Sequence, residues 1–142
     1  MKRIFSLIAG ALMLMSFGPV DTFSKEWSLY TSQDGVDVYL KVTNCDDVQN
    51  GEFKNYLTIK LVNTTAHDVM VDFAMKKWYD DEPWFNEPVS DENRRSLIIP
   101  SGGSMEGVCA NKDLAVFHSF NNKINAPVLT KFELDELNVQ AH

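Results

Sequence analysis

Histidine and cysteine are scarce in this chain of 142 residues, which holds three of the first and two of the second. Few groups are therefore available for nucleophilic or metal chemistry. A hydrolase triad needs a nucleophile, a histidine and an orienting carboxylate, and no Gly-x-Ser-x-Gly elbow occurs. His142 is the last residue and His67 lies in a polar turn. His118 alternates with apolar residues on a strand, which reads as a packed, hydrogen-bonded histidine rather than a general base. Zinc requires clustered ligands, yet neither cysteine has a Cys or His neighbour and there is no His-Glu-x-x-His. The stretch from Cys109 to His118 also lacks the Met that a copper loop usually supplies. The expectation is no catalytic residue, no metal and no cofactor.

Long apolar runs and positive charge are equally lacking. The longest uncharged apolar run, Ile4 to Met15, is shorter than the roughly 20 residues a spanning helix needs. It follows the basic pair Lys2 and Arg3 and precedes a more polar stretch, the order of a secretory leader. Small residues at Thr22 and Ser24 suit cleavage after Ser24, whereas a cut after Gly18 would leave Pro19 just past the bond. Residues 1–24 are therefore expected to be a cleaved signal peptide, and residues 25–142 one domain that is periplasmic or extracellular, with no transmembrane segment.

The chain carries 13 basic against 20 acidic residues, a net charge of −7, and loss of Lys2, Arg3 and Asp21 with the leader makes it more acidic by one charge. Such a domain repels phosphate backbones and anionic membranes, so nucleic acid is excluded as a partner. Export also places Cys45 and Cys109 where disulfides persist. A bond between positions 64 apart closes a long loop, for which chain entropy gives about 4 kcal/mol.

No stretch of the mature part keeps a helical period, and what is there alternates. Val36, Val38, Leu40 and Val42 point one way and Asp37, Tyr39, Lys41 and Thr43 the other, the two-residue period of a strand with one buried face. Asp34-Gly35 supplies turn chemistry that folds Trp27 to Tyr30 back on it. Leu57, Ile59 and Leu61, then Val69, Val71, Phe73 and Met75, read as two further strands in a meander. Pro83 and Pro88 make Tyr79 to Asn93 the longest loop; Ser96 to Ile99, Ser104 to Cys109 and Leu114 to Phe120 follow as strands. In the last segment Phe132 and Leu134 fall on one parity and Leu137 and Val139 on the other, which a bulge near Asp135 or Glu136 reconciles. Seven to eight short strands with turns between them predict an antiparallel, immunoglobulin-like β-sandwich, with a small barrel as the alternative. The disulfide would pin distant strands, within one sheet or across the two.

The most suggestive surface is aromatic. Trp78, Tyr79, Trp84 and Phe85 lie within eight residues, interleaved with Asp80, Asp81 and Glu82. Such rings anchor protein interfaces or stack on sugars; the competing reading makes Trp78 core and Trp84 a lid. Acidic turns at Asp46, Asp47 and Asn50 and at Asp80 to Glu82 offer oxygen ligands to calcium, but their spacing is not that of an EF-hand loop, and a solvated acidic surface is favoured. Asn63-Thr64-Thr65 fits the N-glycosylation sequon. Met70 and Met75 read as core filler.

The Cys-Asp-Asp to Asn-Gly run at Cys45 to Gly51, the Pro-Ser-Gly-Gly-Ser turn at Pro100 to Ser104 and the closing Leu129-Thr130-Lys131-Phe132-Glu133-Leu134 resemble small exported β-sandwich proteins of Bacteroidota. That resemblance implies fold and export and transfers no catalytic or binding residue. The expected function is a non-catalytic binding or envelope-assembly module with a protein partner. A carbohydrate-binding module using the same aromatics is the first alternative, and an enzyme whose site forms only on folding the second.

Overall fold

A computed structural model describes residues 18–142. The basic start and apolar run of the expected leader lie outside the described residues.

Alternation becomes strand wherever it was regular. Strands β1 (Ser28–Gln33) and β2 (Val36–Asn44) form a hairpin through Asp34 and Gly35. Both turn residues have positive φ, 48° and 85°, as the tight turn requires. At Gly35 a Cβ would collide with the Thr65 methyl, so only glycine fits. β3 (Lys54–Asn63) pairs antiparallel with β2 along its length. Its other edge is shared by β7 (Ser104–Glu106) and β8 (Ala115–Phe120), which completes a five-stranded sheet.

The second sheet is built on β4 (Val69–Tyr79). β9 (Leu129–Ala141) follows one edge of β4 from Val69 to Tyr79. β6 (Arg94–Ile99) and the two-residue β5 (Glu82–Pro83) share the other edge. Two antiparallel sheets packed face to face make a β-sandwich, not a closed barrel. The described residues hold nine strands against the expected seven to eight, the unexpected one being the two-residue β5 inside the region expected to be a loop.

Between the sheets lie Val36, Val38 and Leu40 of β2, Leu57, Ile59 and Leu61 of β3, Val71, Phe73 and Met75 of β4, and Phe132, Leu134 and Leu137 of β9. Phe132 is wholly buried, and each such side chain contributes about 1.5–3 kcal/mol by leaving water. The bulge expected in β9 is present: pairing with β4 shifts between Asp135 and Asn138, and Glu136 takes φ 56°. Phe132, Leu134 and Leu137 are all buried as a result, with Val139 packed at their margin.

One expectation is corrected and one alternative is decided. β3 and β4 are consecutive but belong to different sheets, because the polar stretch between Asn63 and Val69 crosses from one to the other. Period-two patterning fixes which face is buried and carries no information about which strand lies alongside. The Cys45–Cys109 disulfide is formed, with Cα atoms 5.4 Å apart, but it does not cross the sheets. It ties the end of β2 to the β7–β8 connection, on either side of β3 in one sheet.

Candidate functional site

The region expected to be one long aromatic loop begins as a hairpin. β4 turns through Asp80 and Asp81, whose φ values of 52° and 67° suit a two-residue hairpin, and pairing resumes at Tyr79 with Glu82 and Trp78 with Pro83. The Trp84 N–H then donates to the Lys77 carbonyl at 2.9 Å. The turn is fastened to the chain entering β9: Asp80 N–H donates to the Val128 carbonyl at 2.9 Å, and Asp81 N–H to the Thr130 hydroxyl at 2.8 Å.

A hairpin sends alternate side chains to opposite faces, so the four aromatics do not form one cluster. Trp78 and Phe85 meet edge to face with centroids 5.0 Å apart. Lys131 lies 6.0 Å from the Trp78 ring and Lys76 5.2 Å from the Phe85 ring. Lys76 is in turn held by Glu87 at 2.6 Å and Asp135 at 3.0 Å, and these two carboxylates raise its pKa. These two rings are already engaged by the protein's own cations.

Tyr79 and Trp84 occupy the other face. Their rings meet at 5.5 Å and 81°, and Tyr79 lies 6.1 Å from Phe117 of β8, in the opposite sheet. The Tyr79 hydroxyl donates to the Phe117 carbonyl at 2.6 Å, and burial pushes its pKa well above that of a free phenol. Lys77, Tyr79, Trp84, Phe117 and Pro127 line a cavity of about 270 Å³ at this end of the sandwich. Tyr79 is buried, whereas Trp84 is 59% exposed and forms one wall. Desolvation lowers the Lys77 pKa, with Glu92 opposing and Arg95 assisting.

Lys77, Phe117 and Pro127 were missed in the sequence. Lys77 carried a signal, since it shares the parity of Met75 and Tyr79 on β4. Phe117 and Pro127 come from distant segments and carried none. A larger groove of about 430 Å³ on the outer face of the second sheet is lined by Asp72, Arg94, Arg95 and Glu136, among others. Its cations are already committed: Arg94 pairs with Glu136 at 2.9 Å, and Arg95 donates to the carbonyls of Asp113, Glu92 and Arg94.

His118 is half-buried, its Nδ1 2.7 Å from the Ser119 hydroxyl and its ring edge-on to Phe23 at 5.5 Å. Burial lowers its pKa. Asp47 caps a short 3-10 turn at Val48–Asn50 and Asp46 accepts from Asn121 Nδ2 at 2.7 Å, so these carboxylates hold loops together. Among the described residues no group of three or more His, Cys, Asp or Glu is placed to hold a metal ion, and no helix is long and apolar enough to cross a membrane. No family model, curated protein or solved structure matches the chain.

Proposed function

We propose that this protein is an exported, non-catalytic binding module that recognises a protein partner by taking one of its apolar side chains into the cavity beside Trp84. The observation that carries this reading is the lining of Lys77, Tyr79, Trp84, Phe117 and Pro127, open at the end of the sandwich. Apolar walls with an exposed tryptophan at the rim are the usual anchor site of a protein interface. Sugar hydroxyls would find little to bond, because the Tyr79 hydroxyl is spent on the Phe117 carbonyl and Lys77 is the one charged group in the lining. Export is supported by the leader pattern and by a disulfide between the only two cysteines.

Trp84→Ala is the test. Recovery of a cross-linked partner from envelope extracts is expected to be lost while the melting temperature holds, since Trp84 is 59% exposed. Undiminished recovery with the alanine variant would remove the cavity from the reading. Carbohydrate binding is the second reading, favoured by the exposed Trp84 ring close in sequence to the exposed carboxylates Asp80, Asp81 and Glu82. A glycan array in which Trp84-dependent signal appears would decide for it.

A further inference from the structure

Segments upstream of Lys25 take part in the folded domain. Val20 and Phe132 exchange both backbone hydrogen bonds, at 2.9 Å and 3.0 Å, as residues of paired antiparallel strands do. Gly18 accepts from the Tyr30 hydroxyl at 3.1 Å, and the Ser24 carbonyl accepts from the Val42 N–H at 2.8 Å. The side chains of Val20 and Phe23 are half-buried against the core, and Phe23 supplies the ring against His118.

The Val20 bridge falls on an edge that needs it, that of β9. β9 is long, and an uncovered edge strand is a template for unwanted pairing. Two β1 side chains reach across from the other sheet to that edge: the Tyr30 hydroxyl accepts from Leu134 N–H at 3.2 Å, and Gln33 Nε2 donates to the Leu137 carbonyl at 2.7 Å. Val20 satisfies Phe132 in the same row. A cut after Ser24 would remove the partner of Phe132, the acceptor of Val42 N–H, and the apolar cover given by Val20 and Phe23.

We infer that the leader is cut upstream of Pro19, and that Val20 to Ser24 remain on the mature protein, with Val20 bridged to Phe132 at the edge of β9. Ser16 is the small residue that fits the position before the cut, because cleavage after Gly18 would put Pro19 directly past the bond. The spacing of small residues is better at Thr22 and Ser24; what outweighs it is the folded role of the residues that such a cut would discard. This inference rests on the export reading.

The full chain, produced in a Gram-negative host and fractionated, is to be weighed intact. The exported form is expected to lack the apolar run Ile4 to Met15 and to begin at or before Pro19. An exported form beginning at Lys25 overturns the inference and leaves export standing, whereas a cytoplasmic form still carrying Met1 overturns the export reading itself and the inference with it. Ser24→Leu, in the full chain, places a bulky residue before the rejected cut at an exposed position. It is expected to be processed and exported like the unaltered chain. Accumulation of its precursor would mark Ser24 as the cleavage residue and overturn the inference independently.

Discussion

The side-chain amide of Asn63 donates a 3.0 Å hydrogen bond to the carbonyl of Ile99, so the last residue of β3 grips the last residue of β6 across the gap between sheets. The same nitrogen lies 2.9 Å from the His67 carbonyl and 3.1 Å from that of Pro100, and Oδ1 accepts from the Thr65 N–H and hydroxyl. Asn63 is 1% exposed. The sequon amide is thus consumed by the fold, and the folded domain offers no acceptor there.

Asn63→Asp would set a carboxylate against three carbonyl oxygens. A loss of about 3 kcal/mol or more is expected, since a buried group is left without its donors and a charge is added. Asn63→Ala is expected to cost less. Urea unfolding measures both, and an aspartate variant with an unchanged midpoint would contradict the sheet-joining role.

Cys45→Ser with Cys109→Ser frees a loop between positions 64 apart, and unfolding free energy is expected to fall by about 4 kcal/mol in the chain-entropy account. Equilibrium denaturation of the double variant against the oxidised protein gives the difference. Comparable stability of the two would mean that strand pairing alone restrains β2 relative to the β7–β8 connection.

Lys77 is half-buried in the wall of the cavity, and burial lowers its pKa below the ordinary 10.5. The unfolded chain therefore holds the proton at pH values where the folded chain gives it up, and stability rises with pH in the window just below 10.5. Lys77→Met is expected to raise the melting temperature at neutral pH and to flatten that alkaline rise. A variant no more stable than the parent would show that the amine is better solvated than its position implies.

His118 behaves oppositely to a paired histidine. Its folded pKa is lowered from 6.5 by burial, so in acid the unfolded state takes up a proton before the folded one does. The contribution of neutral His118 is whole above about pH 6.5 and is lost progressively below it, as pH falls toward the folded value. His118→Gln is expected to reduce the drop in urea midpoint between neutral pH and the acid side of that window. An identical drop in both proteins would assign the acid sensitivity to other groups.

Patterning over single strands was legible because burial on one face writes itself directly into sequence. Val36 to Val42, Leu57 to Leu61 and Val69 to Met75 all bury the parity that their alternation indicates. The change of parity between Leu134 and Leu137 even placed a bulge near Asp135 or Glu136, where the register shift falls. Partnership between strands was legible where a tight turn announced it, as at Asp34-Gly35 between β1 and β2, whereas nothing local in Asn63 to Asp68 announces that the chain changes sheets there. The grouping of the aromatics was hidden for a related reason: Trp78, Tyr79, Trp84 and Phe85 are neighbours in sequence, while a two-residue turn at Asp80 and Asp81 divides them between faces. The companions of Tyr79 and Trp84, Phe117 and Pro127, arrive from β8 and the chain before β9.

The placement of the disulfide has a consequence for damage to the backbone. Everything from β3 to β7 lies between Cys45 and Cys109, so β4, β5 and β6 of the second sheet sit inside the covalent loop and only β9 of that sheet lies outside it. A protease that nicks the exposed stretch Asn86 to Pro88 produces two peptides that remain one molecule, each still packed against the other's strands. Such a clip would pass unnoticed on a non-reducing gel and appear as two fragments only after a thiol is added.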